Sequence, residues 1–247
     1  MPRVLAHLVV IAVFVAAAAW AFASLDTTWN WSTVWRYRAV FWKGWWTTLA
    51  LSAASLVASG AVGLAAAILL RSRFTLLQAV ARVYVELIRG TPLLVQLLVG
   101  WYVVAAAMRV ESDYRHVVGV LVLALFSGAY MAEIFRGGLD AIPRAQIDSA
   151  RAIGLTAWQT LSLVVMPQAV RIVLPAVAGQ FVSLVKDSSL LSVISIEEFT
   201  FAARNVNSAT YSTLESYLPL AIGYLAVTLP LSSFSRWLEH RFRYESA

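Results

Sequence analysis

The sequence predicts an all-α integral membrane protein with about six transmembrane helices, and three observations carry that prediction. Of the 247 residues, 60% are hydrophobic and only 13% are charged, where a soluble domain carries about a quarter. The mean hydropathy is +0.74. The apolar residues gather into runs of roughly 20, enough to cross a hydrocarbon core of about 30 Å as helix. Arg residues collect in alternate connecting segments, as the cytoplasmic bias of basic residues requires.

The same composition excludes other classes. The formal net charge of +6 is spread without a compact basic tract, so no nucleic-acid partner is expected. There is no Cys, hence no disulfide and no thiolate metal site. His7, His116 and His240 are far apart, and none has a metal-ligand neighbour at helical spacing. They read as structural or interfacial.

Val4 to Ser24 is a continuous apolar run after Arg3. It competes with a signal peptide, since Ala21-Phe22-Ala23 has the form of a cleavage site. Its length favours an uncleaved first span. Asp26 to Trp46 holds Trp29, Trp31, Trp35, Trp42, Trp45 and Trp46 with Arg36, Arg38 and Lys43, a mixture suited to an interfacial segment at headgroup level. Residues 1–43 therefore form an N-terminal unit, and residues 44–244 the membrane core described below.

Trp46 to Leu70 is the second span, with Ser55, Ser59, Gly60 and Gly63 as a small-residue packing face. Arg71 and Arg73 mark its inner end. Phe74 to Met108 is the third span, interrupted by Glu86-Leu-Ile-Arg89-Gly90-Thr91-Pro92. Pro92 lacks an N–H and Gly90 weakens the helix, so a kink or break is expected. Two readings fit: a broken helix beside a transport path, or a solvated inner end with Glu86 and Arg89 on one face. His116 to Phe135 is the fourth span, after a charged outer loop. Glu133 and Arg136, three apart, are expected to pair at its inner boundary.

Between the fourth and fifth spans lies a charged segment, about 136–167, carrying Arg136, Asp140, Arg144, Asp148 and Arg151. Burying such charges in hydrocarbon costs several kcal/mol at least, so the segment lies outside the lipid. Pro143 suits a first helical position and Gly154 the residue past a helix end. Thr156 with Gln159 has the form of a capping box, opening a second short helix that Pro167 disturbs. The segment reads either as a partner-docking hairpin or as an ordinary polar loop.

Ile172 to about Ile196 is the fifth span and carries Gln180, Ser183, Lys186 and Asp187. Gln180 lies about 12 Å and Asp187 about 22 Å along the helix from Ile172. Both therefore sit within the membrane, and on one face. Intramembrane ionisable groups are functional candidates by default, although Lys186 and Asp187 also fit a structural ion pair. Glu197 to Glu215 reads as a polar outer loop, and Tyr217 to Trp237 as the sixth span. Arg236, Arg241 and Arg243 then place the C-terminus inside.

The charged segment resembles the cytoplasmic coupling loop of ATP-binding-cassette importer permeases. That loop's signature is Glu-Ala-Ala, three residues, Gly, nine residues, Ile-x-Leu-Pro. Here the positions read Asp148-Ser149-Ala150, Gly154 and Val164-Val165-Met166-Pro167. Tyr84-Val-Glu-Leu-Ile-Arg-Gly-Thr-Pro-Leu-Leu-Val-Gln96 closely resembles a hallmark block of the polar amino acid permease subfamily. Gly128-Ala-Tyr-Met-Ala-Glu-Ile-Phe-Arg-Gly-Gly138 and Lys186-Asp-Ser-Ser-Leu-Leu-Ser-Val-Ile194 are similar to its other two blocks. The resemblance covers most of Trp46 to Tyr244, a core of five helices to which the N-terminal span is an addition.

The resemblance implies a multi-pass permease of the bacterial cytoplasmic (inner) membrane, both termini cytoplasmic, importing a polar amino acid. It implies a second permease subunit, identical or related, and ABC ATPase subunits engaged through Asp148, Ser149, Ala150 and Gly154. It also implies a periplasmic or surface-tethered amino acid binding protein. Gln180, Ser183 and Asp187 would contribute to substrate binding, and Arg89, Gly90, Thr91, Pro92 and Lys186 to structure and gating. Where relatives that bind cationic amino acids carry an acidic residue seven before the Asp, this chain has Gln180. A neutral amide cannot complete a two-carboxylate clamp, which argues against an Arg- or Lys-specific site in this subunit.

The chain lacks the G-x-x-x-x-G-K phosphate loop, so it is expected to be non-catalytic and to bind no cofactor, ATP being used by the partner. The alternative is an ion-gradient-driven secondary carrier using Lys186 and Asp187 as a proton relay. That reading calls for internal repeats and paired broken helices, and only one break is visible.

Overall fold

The computed structural model describes residues 30–242 and, before them, residues 9, 12–13, 15–17, 19–20 and 23–24. The expected first span and its cleavage-site alternative fall largely outside these residues, as do His7 and Arg243. The described residues are mostly helical, with no strand among them. Four elements are long and apolar enough to cross a membrane: Arg38–Leu70, Ser112–Asp140, Ala157–Ile194 and Thr213–Phe242. A bent pair of helices makes up to five, the size of the expected core.

A short helix α1 (Ser32–Arg36) leads into α2 (Arg38–Leu70). The interfacial segment expected up to Trp46 is thus already part of the second span from Arg38 onwards. Trp42, Trp45 and Trp46 pack on one another at its outer turns, with ring centroids 5.2–5.7 Å apart. α3 (Thr75–Gly90) and α4 (Leu93–Leu98), the latter prolonged by π-helical turns over Val99–Ala105, form the bent pair at 108°. α5 (Arg115–Asp140) packs back against α2.

α6 (Arg144–Ala152) and a single turn α7 (Ala157–Gln159) flank Gly154. Pro143 caps α6 from just outside rather than occupying its first turn. No separate second helix follows: α7 runs through π-helical Thr160–Val165 into α8 (Met166–Asp187), a single element that continues as 3-10 turns over Ser188–Ile194. Pro167 has no N–H to donate to the turn before it. The chain meets that loss by widening to the i→i+5 register ahead of it rather than breaking.

The expected outer loop Glu197–Glu215 instead contains α9 (Phe199–Thr210), which leads to α10 (Thr213–Phe242). Phe199, Ala202, Ala203 and Val206 are buried, and the helix forms because this i, i+3, i+4, i+7 stripe can be covered by the span ends.

α2 and α5 pack along most of their length. Ser52, Ser55, Ser59 and Gly63 of α2 are buried in that crossing, while Gly60 meets nothing within 4 Å and belongs to another face. A Cβ on Gly63 would lie 2.4 Å from Met131 Cβ, so the close approach requires glycine. Three clusters stack along the helices. Phe41, Phe199, Ala203 and Val206 lie at one end. Leu51, Leu97, Leu123, Leu191, Ile194 and Ile196 fill the middle. Ala66, Val85, Ala129 and Ala132 lie towards the other end. There Arg71 pairs with Asp140, and Arg136 reaches Glu133 at 2.6 Å and Asp140 at 3.6 Å.

Candidate functional site

Three regions hold the residues singled out by sequence. The first is α8. Gln180, Ser183 and Asp187 lie on one unbroken helix and, by its period, on one face. Gln180 Nε2 donates to Ser127 Oγ of α5 at 3.1 Å, which orients the amide and leaves its Oε1 as an acceptor. Ser183 Oγ donates weakly to the Gly179 carbonyl at 3.4 Å. Asp187 ends α8, partly buried, and Lys186 beside it is exposed. The four ion pairs among the described residues involve neither, so the structural pairing of Lys186 with Asp187 is not formed.

The second region is the break in the third span. Thr91 and Pro92 are extended, with ψ of 143° and 138°. Pro92 cannot donate to the Ile88 carbonyl four residues back. Gln96 replaces the missing donor: its Nε2 reaches Ile88 O at 2.8 Å, Thr91 Oγ1 at 2.8 Å and Thr91 O at 3.2 Å. Thr91 Oγ1 donates in turn to Leu87 O at 2.9 Å. The break is thus a built corner, and Glu86 and Arg89 just before it are exposed. Glu86 and Arg89 do not pair; the Arg89 guanidinium lies over the Tyr130 ring, 5.4 Å from its centre. Tyr84 OH bonds the Leu125 carbonyl at 2.6 Å and ties α3 to α5. A polar cavity of about 740 Å³ opens between these helices, lined by Arg82, Glu86, Arg89, Tyr130, Glu133 and Arg136 among others.

The third region is the hairpin at Gly154. Gly154 has φ +89°, a left-handed conformation that glycine adopts without strain. Gly154 N–H donates to the Arg151 carbonyl at 2.9 Å and Leu155 N–H to Ala150 at 3.1 Å, the paired bonds of a Schellman turn. The capping box forms as expected: Thr156 N–H donates to Gln159 Oε1 at 2.9 Å and Gln159 N–H to Thr156 Oγ1 at 3.3 Å. Ala150 is buried, whereas Asp148 and Ser149 are exposed. Ile153 and Trp158 stand out at 79% and 73% exposure. The backbone is satisfied within the turn, and the apolar side chains point away from it.

Sequence reasoning missed Gln96, Tyr130 and Glu198. Glu198 is fully buried and caps α9 through bonds from Thr200 N–H at 2.9 Å and Phe201 N–H at 2.8 Å. It also accepts from Thr48 Oγ1 at 3.3 Å and Tyr224 OH at 3.2 Å. Burial pushes its carboxyl above the ordinary carboxylate range, opposed by these four bonds. The signal was present: a carboxylate at the cap position before an apolar helical stripe.

Residues 59–244 match the family model described as the binding-protein-dependent transport system inner membrane component. A probable glutamine ABC transporter permease protein of Bacillus subtilis (strain 168) is 32% identical over 204 residues, which span 82% of this chain and 93% of that one. The glutamine transport system permease protein of Escherichia coli (strain K12) is 31% identical over 214 residues, 87% of this chain and 98% of its own length. Among solved structures, that of an amino acid ABC transporter with histidines superposes with a TM-score of 0.80 at 33% identity. It covers 87% of this chain and all of that one.

Proposed function

The chain belongs to the family of binding-protein-dependent transport system inner membrane components, and on that premise we propose how it works as the permease of an amino acid ABC importer. The observation that carries the proposal is the hairpin at Gly154. It is rigid by its own hydrogen bonds, yet presents Ile153 and Trp158 to solvent. Exposed aromatic and aliphatic anchors on a firm support are what a docking partner buries.

In this reading, ATPase subunits seat the hairpin, with Asp148, Ser149, Ala150 and Gly154 in the contact. Their closure is transmitted along α8, since α7, the π-helical turns and α8 are one continuous element. The same rod carries Gln180, Ser183 and Asp187, which would meet the substrate. A pull on the hairpin therefore moves the substrate-facing side chains directly. Residues 44–244 form the transport core and residues 1–43 an N-terminal addition, with both termini cytoplasmic. The pathway is completed by a second permease subunit, and an extracytoplasmic binding protein delivers a polar amino acid. Gln180, neutral and committed to Ser127, favours an uncharged substrate side chain. ATP is bound by the partner and not by this chain.

The test is reconstitution with its ATPase and binding-protein partners in proteoliposomes. Amino acid uptake should require ATP, and Asp187→Asn should lower it at least fivefold while Lys186→Ala leaves it within twofold. Uptake that follows a proton gradient and ignores ATP would overturn the proposal. Equal effects of the two substitutions would remove Asp187 from the substrate path.

A further inference from the structure

We propose that the cavity between α3 and α5 is a binding site for the main-chain charges of a zwitterionic amino acid, with Arg89 as the carboxylate anchor and Glu86 as the ammonium anchor. The inference rests on the amino acid transport reading above and adds a site, distinct from Gln180 and Asp187, that discriminates by charge.

The cavity is about 740 Å³, within the roughly 300–1,000 Å³ of small-molecule sites. Three arginines and two glutamates line it in a chain only 13% charged. Charges in membrane spans are expensive and mark polar pathways. The internal pairing leaves a remainder. Arg136 is matched by Glu133 and Asp140. Arg82, Glu86 and Arg89 join no ion pair among the described residues, although they follow one another at helical spacing on one face of α3.

Arg89 is positioned without being neutralised. Its guanidinium lies over the Tyr130 ring at 5.4 Å, a contact that fixes the plane while leaving the N–H fork free for a carboxylate. Glu86 stands one turn away on the same face, where the α-ammonium group of the same ligand can reach it. An inorganic anion would use only the arginines, and a simple cation only Glu86. A molecule carrying both charged groups on one carbon answers both.

The unpaired groups sum to two positive charges and one negative. A ligand with a neutral or acidic side chain fits that balance, and one with an extra cationic side chain is opposed by it. Arg89 also sits three residues before Pro92, at the corner of the bent pair. Glu86 and Arg89 both precede the break on one helix, so a change in the bend leaves the two anchors in register with each other.

The experiment uses the permease–ATPase complex in lipid nanodiscs, without binding protein, probed with each of the twenty radiolabelled L-amino acids. ATP-driven proteoliposome uptake is measured in parallel. The best-transported amino acid should bind the complex. Its N-acetyl and α-amide derivatives, and L-arginine, should compete at least tenfold more weakly. Arg89→Gln and Glu86→Gln should each weaken binding at least tenfold, with an unchanged melting temperature and unchanged co-purification with the ATPase as checks on folding. Arg89→Lys should recover most of the loss. Wild-type affinity in both Gln variants, or equal competition by the blocked derivatives, overturns the site. So does uptake by the wild type without binding, or an anionic phospholipid found at Arg82 and Arg89 with amino acid binding unchanged. Failure of the wild type to take up any of the twenty overturns the transport reading, and this inference with it.

Discussion

The outer cap and the inner hairpin solve the same problem in opposite ways. Each is a short helical excursion between two spans, and each must satisfy backbone groups that no long helix covers. At the outer cap, Glu198 is buried and binds α9 to α2 through Thr48 and to α10 through Tyr224. Phe199 wedges into the same seat, where a Cβ on Gly223 would lie 2.3 Å from its ring. At the hairpin the bonds stay local, within residues 150–159, and the large side chains face outward. A lid is tied to the body, whereas the handle's turn is tied to itself, with α6 joined to α8 by the bond from Gln168 Nε2 to Gln146 Oε1. The difference separates stability from coupling, so substitutions in the two regions should affect different measurements.

The largest effect is expected at the cap. Glu198→Ala removes an N-cap and leaves two N–H groups and the buried Thr48 hydroxyl without their acceptor, while Tyr224 keeps only Thr200, a loss of about 2–4 kcal/mol, read as a lower melting temperature of the detergent-solubilised protein. The carboxyl's folded value is raised. The wild-type hub is therefore most stable below the ordinary carboxylate range and loses stability as pH rises through the raised value. The alanine variant should lack that slope. An unchanged melting temperature would show that α9 is held by apolar packing alone.

How much of this contrast was legible in the sequence depends on the distance over which each region makes its bonds. The hairpin's partners lie within six residues, so Gly154 and the Thr156–Gln159 box could be read directly, and the structure places them as expected. The broken third span was legible for the same reason, because Pro92 removes a donor wherever it stands. Glu198 draws on Thr48, 150 residues away, and on Tyr224. Only the fold brings them together. A run containing Glu197, Glu198, Arg204 and Asn207 read as a solvated loop, although its apolar stripe already had helical spacing. Gln180 was placed correctly on its helix, but its partner Ser127 lies on another span and carried no sequence signal. The continuity of α7 with α8 is not legible, because Pro167 predicts a disturbed short helix and nothing local signals the π-helical stretch that keeps the element whole.

A smaller effect on stability, and a larger one on coupling, is expected at the hairpin. Nothing lies within 4 Å of a Cβ built on Gly154, so substitution acts through the backbone and not through a clash. A β-branched residue at φ +89° is strained by about 1–3 kcal/mol, confined to a turn that the spans do not need. Gly154→Val should leave the melting temperature within about 2 °C, since that strain is released by opening a local segment. It should nevertheless raise the ATP hydrolysed per amino acid transported severalfold. Gly154→Asn, which tolerates positive φ, should be milder. An unchanged stoichiometry in the valine variant would deny the hairpin its role as handle.

The smallest effect tests whether a cap residue matters merely by lying at the outer face. Glu197 adjoins Glu198 but points outward, accepting a bond from Lys43 Nζ at 2.9 Å, with the two side chains 62% and 73% exposed. That hydrogen bond, and then the lysine charge, hold the Glu197 carboxyl below the ordinary carboxylate range. Its contribution is therefore present above that range and fades as pH falls through the depressed value. Because the pair is open to water and salt, Glu197→Gln should shift stability by no more than about 0.5 kcal/mol at neutral pH, and by less in high salt. A loss approaching that of Glu198→Ala would mean that the outer cap draws its stability from surface charge rather than from the buried hub.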